Sequence, residues 1–150
     1  MIVTDHFFQM TDDHLLRRIE RDARHLATRF RLRLARLDKE SPRVKRRFGS
    51  CDSDGVIRIR LRNRRNGDYL KYSSLVATLC HELAHLRFMN HGLEFRSLYM
   101  EILEFARTTE IYRPRAVVAR GETSLLRAAL NPRRRRPKRR GRTAARRPTR

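Results

Sequence analysis

The last twenty residues, Asn131 to Arg150, hold eleven basic side chains and no acidic one, and arginine and proline make up most of them. Such a segment cannot collapse against itself, so it is predicted to be a disordered tail, and the fold must come from the residues before it. Those residues, 1–130, carry 26 basic and 16 acidic side chains. Over all 150 residues the net charge is +21, with 39% hydrophobic residues and no Trp. That supplies one lean core and not two. The expected division is a domain over residues 1–112 and a basic tail over 113–150.

No stretch approaches the roughly 20 apolar residues of a membrane span, and Met1 to Met10 contains Asp5 and His6 where a signal peptide would be apolar. Cys51 and Cys80 are too few for a disulfide framework and read as reduced thiols packed like small apolar side chains. The expectation is a cytoplasmic protein, nucleoid-associated in a bacterium or nuclear in a eukaryote, with no membrane partner.

Leu15, Leu16, Ile19, Ala23, Leu26, Ala27 and Phe30 recur at helical spacing, with Arg17, Arg18, Arg21 and Arg24 on the other face. Thr11 suits the N-cap, and Asp12 and Asp13 suit the positive end of the helix dipole, so a helix is predicted over 12–30. Arg31 to Leu34, Val44 to Phe48 and Val56 to Leu61 read as strands, the last placing Ile57, Ile59 and Leu61 on one face; together they predict a small antiparallel meander. A second helix, entered at Ser73 or Ser74, carries Leu75, Leu79, Leu83 and Leu86, and is predicted to end at Asn90-His91-Gly92. A third carries Leu93, Leu98, Ile102, Leu103 and Ala106 to about Thr108, and a short helix is possible in composition at Thr123 to Leu130. The fold class expected is α+β: an N-terminal helix, a three-stranded antiparallel sheet, two further helices and the tail.

The second helix contains His81-Glu82-Leu83-Ala84-His85. At 100° per residue, histidines four apart differ by about 40° around the axis, so both imidazoles can reach one ion. Glu82, about 100° from His81, flanks that face as a general base that accepts a proton from water without being a ligand. The apolar stripe leaves the histidines off the core face, and the small residues Ser74, Ala77 and Thr78 on their side would leave room for a cleft. A catalytic zinc needs a third protein ligand. His91 could fold back after the Asn90 turn; Glu104, eighteen residues after His85, competes, and the turn residues around His91 favour the histidine. One Zn2+ per chain is expected. Among groups that could stabilise an oxyanion, Tyr99, Tyr112 and nearby arginines are the candidates.

The stretch Arg47-Phe48-Gly49-Ser50-Cys51, then Gly55-Val56-Ile57, then Cys80 to Leu86, then Asn90-His91 and Phe95, resembles the YgjP-like metallopeptidase domain, a relative of SprT-like and WLM-type domains. The resemblance covers roughly Arg43 to Leu103. It implies a zinc-dependent peptidase in which His81, His85 and His91 hold the metal, Glu82 is the catalytic base, and the substrate is a protein or peptide. Phe48 and Arg96 stand where that family often has Trp.

The tail residues Arg133, Arg134, Arg135, Arg136, Lys138, Arg139 and Arg140 should bind nucleic acid through its phosphates, with steep salt dependence and little sequence preference. No aromatic residue is interleaved with them, so base stacking is not expected there. Arg58, Arg60, Arg62, Arg64 and Arg65 make the folded part basic too. The function read from the sequence is a zinc metallopeptidase recruited to DNA or RNA, acting on proteins held there. The alternatives are a non-catalytic nucleic-acid-binding protein with a structural zinc site, and a zinc hydrolase acting on another electrophile.

Overall fold

A computed structural model describes residues 10–114, so the short helix expected at 123–130 and the basic tail lie outside the described residues. Helix α1 (Asp12–Arg29) starts where the cap pattern places it: the Thr11 side chain accepts the backbone N–H of His14, and Leu15, Ile19, Ala23, Leu26 and Ala27 are buried along one face. Three short strands follow, β1 (Arg36–Lys39), β2 (Gly49–Cys51) and β3 (Val56–Ile59), then helices α2 (Tyr72–His85) and α3 (Leu93–Thr108). The α+β class and the three helices agree with expectation.

The sheet is where the structure departs from the sequence reading. Its order is β1-β3-β2, with β1 parallel to β3 and only β2 antiparallel to it, so the sheet is mixed and not an antiparallel meander. The segment 31–34 is not a strand. Arg31 takes a left-handed conformation, φ 52°, and Leu32 N–H bonds back to the Ala27 carbonyl, so these residues finish the helix and the strand starts at Arg36. Val44 to Phe48 is likewise loop, and β2 begins only at Gly49. β2 and β3 form a hairpin whose turn is built by Asp52: its Oδ1 accepts the N–H of Asp54 and of Val56, and Gly55 supplies φ +83°. That hairpin occupies one edge of β3. β1 therefore pairs on the other edge, with Leu37 opposite Ile57.

β3 ends at Ile59, yet Ile57, Ile59 and Leu61 are all buried, as the alternation predicts. They join Leu37, the α1 face, Leu75, Leu79 and Leu83 of α2, and Phe95, Ile102 and Ala106 of α3 in one apolar cluster. α2 starts at Tyr72 with Lys71 as N-cap and no side-chain cap bond, ahead of the two serines, and ends at His85 instead of Asn90. Gly92 is the N-cap of α3, so Asn90-His91-Gly92 links the two helices. No described helix is long and apolar enough to cross a membrane.

Candidate metal centre

α2 brings His81 and His85 to one face, and the link to α3 returns His91 to the same place. His81 Nε2 lies 3.2 Å from His85 Nε2 and 3.2 Å from His91 Nε2, and the ligand atoms of all three fall within 4.8 Å of one another. Ligands at the usual Zn–N distance of about 2.0–2.1 Å on a tetrahedron stand roughly 3.3 Å apart, so the His81–His85 and His81–His91 separations match two edges of such a site. The three histidines could therefore hold a metal ion. Glu104, the competing carboxylate, is exposed and pairs with Arg107 at 3.4 Å.

Two features prepare the imidazoles. His85 Nδ1–H donates to the Phe88 carbonyl at 3.0 Å, which leaves Nε2 with its lone pair toward the other histidines. Burial, with the neighbouring His85 and His91 adding to it, pushes His81 down to about 4, and burial also lowers His85. Both are neutral at pH 7, the form that binds a metal. The fully buried ring of Phe95 packs against all three, with centroids 4.9, 4.5 and 4.8 Å from His81, His85 and His91.

Glu82 is 6% exposed and lies against β2, where a Cβ on Gly49 would stand 3.0 Å from its Cγ. Burial raises its carboxyl to about 7; Arg47 opposes the shift and Glu40 adds to it. Those two residues form a bracket on the near end of the sheet. The buried Glu40 accepts Arg47 Nε at 3.1 Å and Ser50 Oγ at 3.2 Å on one carboxylate oxygen, and the Ser41 N–H at 3.1 Å on the other.

The cleft expected beside Ala77 and Thr78 is not open: Ala77 is buried, and β2 fills the space at Thr78, whose Cγ2 would be 2.8 Å from a Cβ on Gly49. Tyr99 and Tyr112 are buried, and Tyr99 packs against the His81 ring at 5.7 Å. Arg96 is half-buried and its Nε has no hydrogen-bond partner among the described residues. Both cysteines are free, Cys80 fully buried and Cys51 half-buried. The residues that sequence reasoning missed are Glu40, Arg47, Gly49, Ser50 and Phe95. The last four stand in the stretches that carry the family resemblance; Glu40 has no local signal.

No curated protein matches the chain. Among solved structures, Wss1 from Saccharomyces cerevisiae is similar, with TM-score 0.60 and 24% identity over 65% of this chain and 77% of that one. A mutant of the same yeast protein gives TM-score 0.60 and 23% identity over 64% and 78%. These establish a shared fold. The family model that matches is the WLM domain, over residues 8–148, so the placement moves from the YgjP-like domain to its WLM-type relative, and the chain belongs to the WLM domain family.

Proposed function

We propose that this protein is a zinc-dependent metallopeptidase, recruited to nucleic acid by its basic C-terminal segment. The observation that carries the reading is the convergence of the His81, His85 and His91 nitrogens next in sequence to a buried carboxylate, Glu82. The three imidazoles would hold the ion, and their donor set and spacing fit zinc. When bound, zinc supplies Lewis-acid polarisation of the scissile carbonyl and makes water acidic enough to react at neutral pH.

The rest is the work of the chain. Glu82 removes a proton from the attacking water as the oxygen–carbon bond forms, and returns it to the leaving amine as the carbon–nitrogen bond breaks. Burial pushes this carboxyl up from the ordinary carboxylate range, which favours its taking up the proton it later passes to the amine. Phe95 and the Phe88 carbonyl keep the imidazoles oriented. The domain over 1–112 would carry this chemistry, and residues 113–150, with Arg133 to Arg136, Lys138, Arg139 and Arg140, would bring it to proteins on DNA or RNA.

The test is Glu82→Gln, read by zinc content and by cleavage of an unfolded protein substrate. Full zinc with hydrolysis reduced by two or more orders of magnitude is the expected result, from loss of general-base catalysis. Undiminished hydrolysis would overturn the mechanism.

A further inference from the structure

A cavity of about 390 Å³ opens at the end of the sheet where β1 and β3 finish, lined in part by Asp12, Lys39, Glu40, Arg60, Arg62 and Arg64. Its two carboxylates are already engaged. Asp12 takes Arg62 at 2.9 Å and Lys39 at 3.5 Å, and Glu40 takes Arg47 at 3.1 Å. Arg60 and Arg64 have no carboxylate partner among the described residues; they donate to the backbone carbonyls of Val44 and Lys45. Two guanidinium groups are thus held near one another by a loop that itself carries Arg43, Lys45 and Arg46, none of which makes an ion pair among the described residues. Burial, and then the charge of Arg64 beside it, disfavour the cationic form of Arg60, and Glu40 across the cavity offsets this only in part. An anion entering the cavity would relieve both costs, since it restores a charge partner to a guanidinium that stays protonated.

An aromatic ring borders this cluster beside Arg60. Phe48 is 41% exposed, and the Arg60 guanidinium lies 5.5 Å from its ring centroid. Cationic phosphate ligands beside an open aromatic face suit a nucleic-acid strand, which offers a phosphate and an unpaired base one step apart; an acidic peptide offers the anion without the base. We propose that Arg60 and Arg64 bind a phosphate of a nucleic-acid strand in this cavity and that Phe48 stacks on an adjacent base. The basic tail alone does not provide this site, and it stands whether or not the protein cleaves peptide bonds. It also has a position relative to the candidate base: Arg60 N–H bonds the Phe48 carbonyl, and the next residue, Gly49, packs on Glu82. Nucleic acid held here lies along the loop that borders the catalytic side of the sheet.

The experiment uses the full chain, so the tail contributes equally to every variant. Binding of fluorescein-labelled dT20 is followed by anisotropy across a salt series for wild type, Arg60→Gln/Arg64→Gln, Phe48→Ala and Arg17→Gln, the last a charge loss on the exposed face of α1. Each lost phosphate contact makes the log–log salt slope shallower by about 0.7, so the double variant should lose about 1.4 and Arg17→Gln nothing. Phe48→Ala should weaken dT20 by about fivefold or more while leaving binding of polyglutamate unchanged. If the double variant fails to fold, Arg64→Gln alone serves, because that exposed side chain makes a single hydrogen bond among the described residues, to the Lys45 carbonyl; its slope should fall by about 0.7. Slopes equal to wild type would overturn the proposal, as would proportional losses for dT20 and polyglutamate.

Discussion

A Cβ placed on Gly49 would stand 2.8 Å from Thr78 Cγ2, 3.0 Å from Glu82 Cγ and 3.1 Å from the Arg58 carbonyl. The missing side chain is what lets β2 lie directly on the helix that bears the candidate metal ligands. Gly49→Ala is therefore expected to cost about 1–3 kcal/mol in chemical denaturation, the range for overpacking a filled interior. Thr78→Ser removes the nearest methyl group, so the double variant should recover part of that loss; no recovery would mean that the close contact is not the cause. Phe95 is a second residue on which the site depends. It is fully buried and touches all three histidines, so Phe95→Ala should cost about 3–5 kcal/mol and weaken metal binding in competition with a chromophoric chelator. Neither role follows from residue type. A glycine at the start of a strand and a phenylalanine on a helix are ordinary until their neighbours are known.

The helices are set by signals contained within each segment. Thr11 caps α1 through its bond with the His14 N–H, and Thr11→Ala is expected to lower stability by about 1 kcal/mol in urea denaturation. Asp12, in the first turn, also ties α1 to the chain after β3: its carboxylate accepts the Tyr69 hydroxyl at 2.9 Å and Arg62 Nε at 2.9 Å. The Tyr69 hydrogen bond holds its pKa below the ordinary carboxylate value; burial opposes this, and the Arg62 hydrogen bond and charge add to the lowering. A carboxyl depressed in the folded state adds stability that is complete above its unfolded pKa, about 3.9, and disappears as pH falls through the folded value. Asp12→Asn should thus be less stable than wild type at pH 6, with the gap closing by pH 2; a gap independent of pH would contradict the linkage. Among the strands only β3 carries a comparable local signal, the alternation that buries Ile57, Ile59 and Leu61. Arg31 to Leu34 alternates as a strand should, yet the left-handed Arg31 turns it into the end of α1. The segment 44–48, also expected as a strand, is loop, and β3 has its two edges taken by β1 and β2.

The three described helices and the sheet feed one apolar cluster, while the three histidines sit at its margin on α2 and the α2–α3 link. Removing metal with EDTA is therefore expected to abolish hydrolysis and lower the melting temperature, with the far-UV helical signal kept at 25 °C. Unfolding on chelation would instead support a structural zinc site in a non-catalytic protein. What the sequence determined by itself was whatever a few neighbouring residues can specify: the helices, from apolar spacing and the α1 cap; the His81–His85 pair, from one turn of helix; the excess charge of the C-terminal segment, from composition. Tertiary structure decided what depends on residues far apart in the chain. It chose parallel pairing for β1, laid Gly49 against Glu82, brought the buried Glu40 to Arg47 and Ser50, and left Arg60 and Arg64 without an ion-paired carboxylate among the described residues. The reason is physical: helical hydrogen bonds and i,i+4 neighbours lie within one segment, whereas strand partners, close packing and charge compensation are fixed only when separate segments compete for the same space.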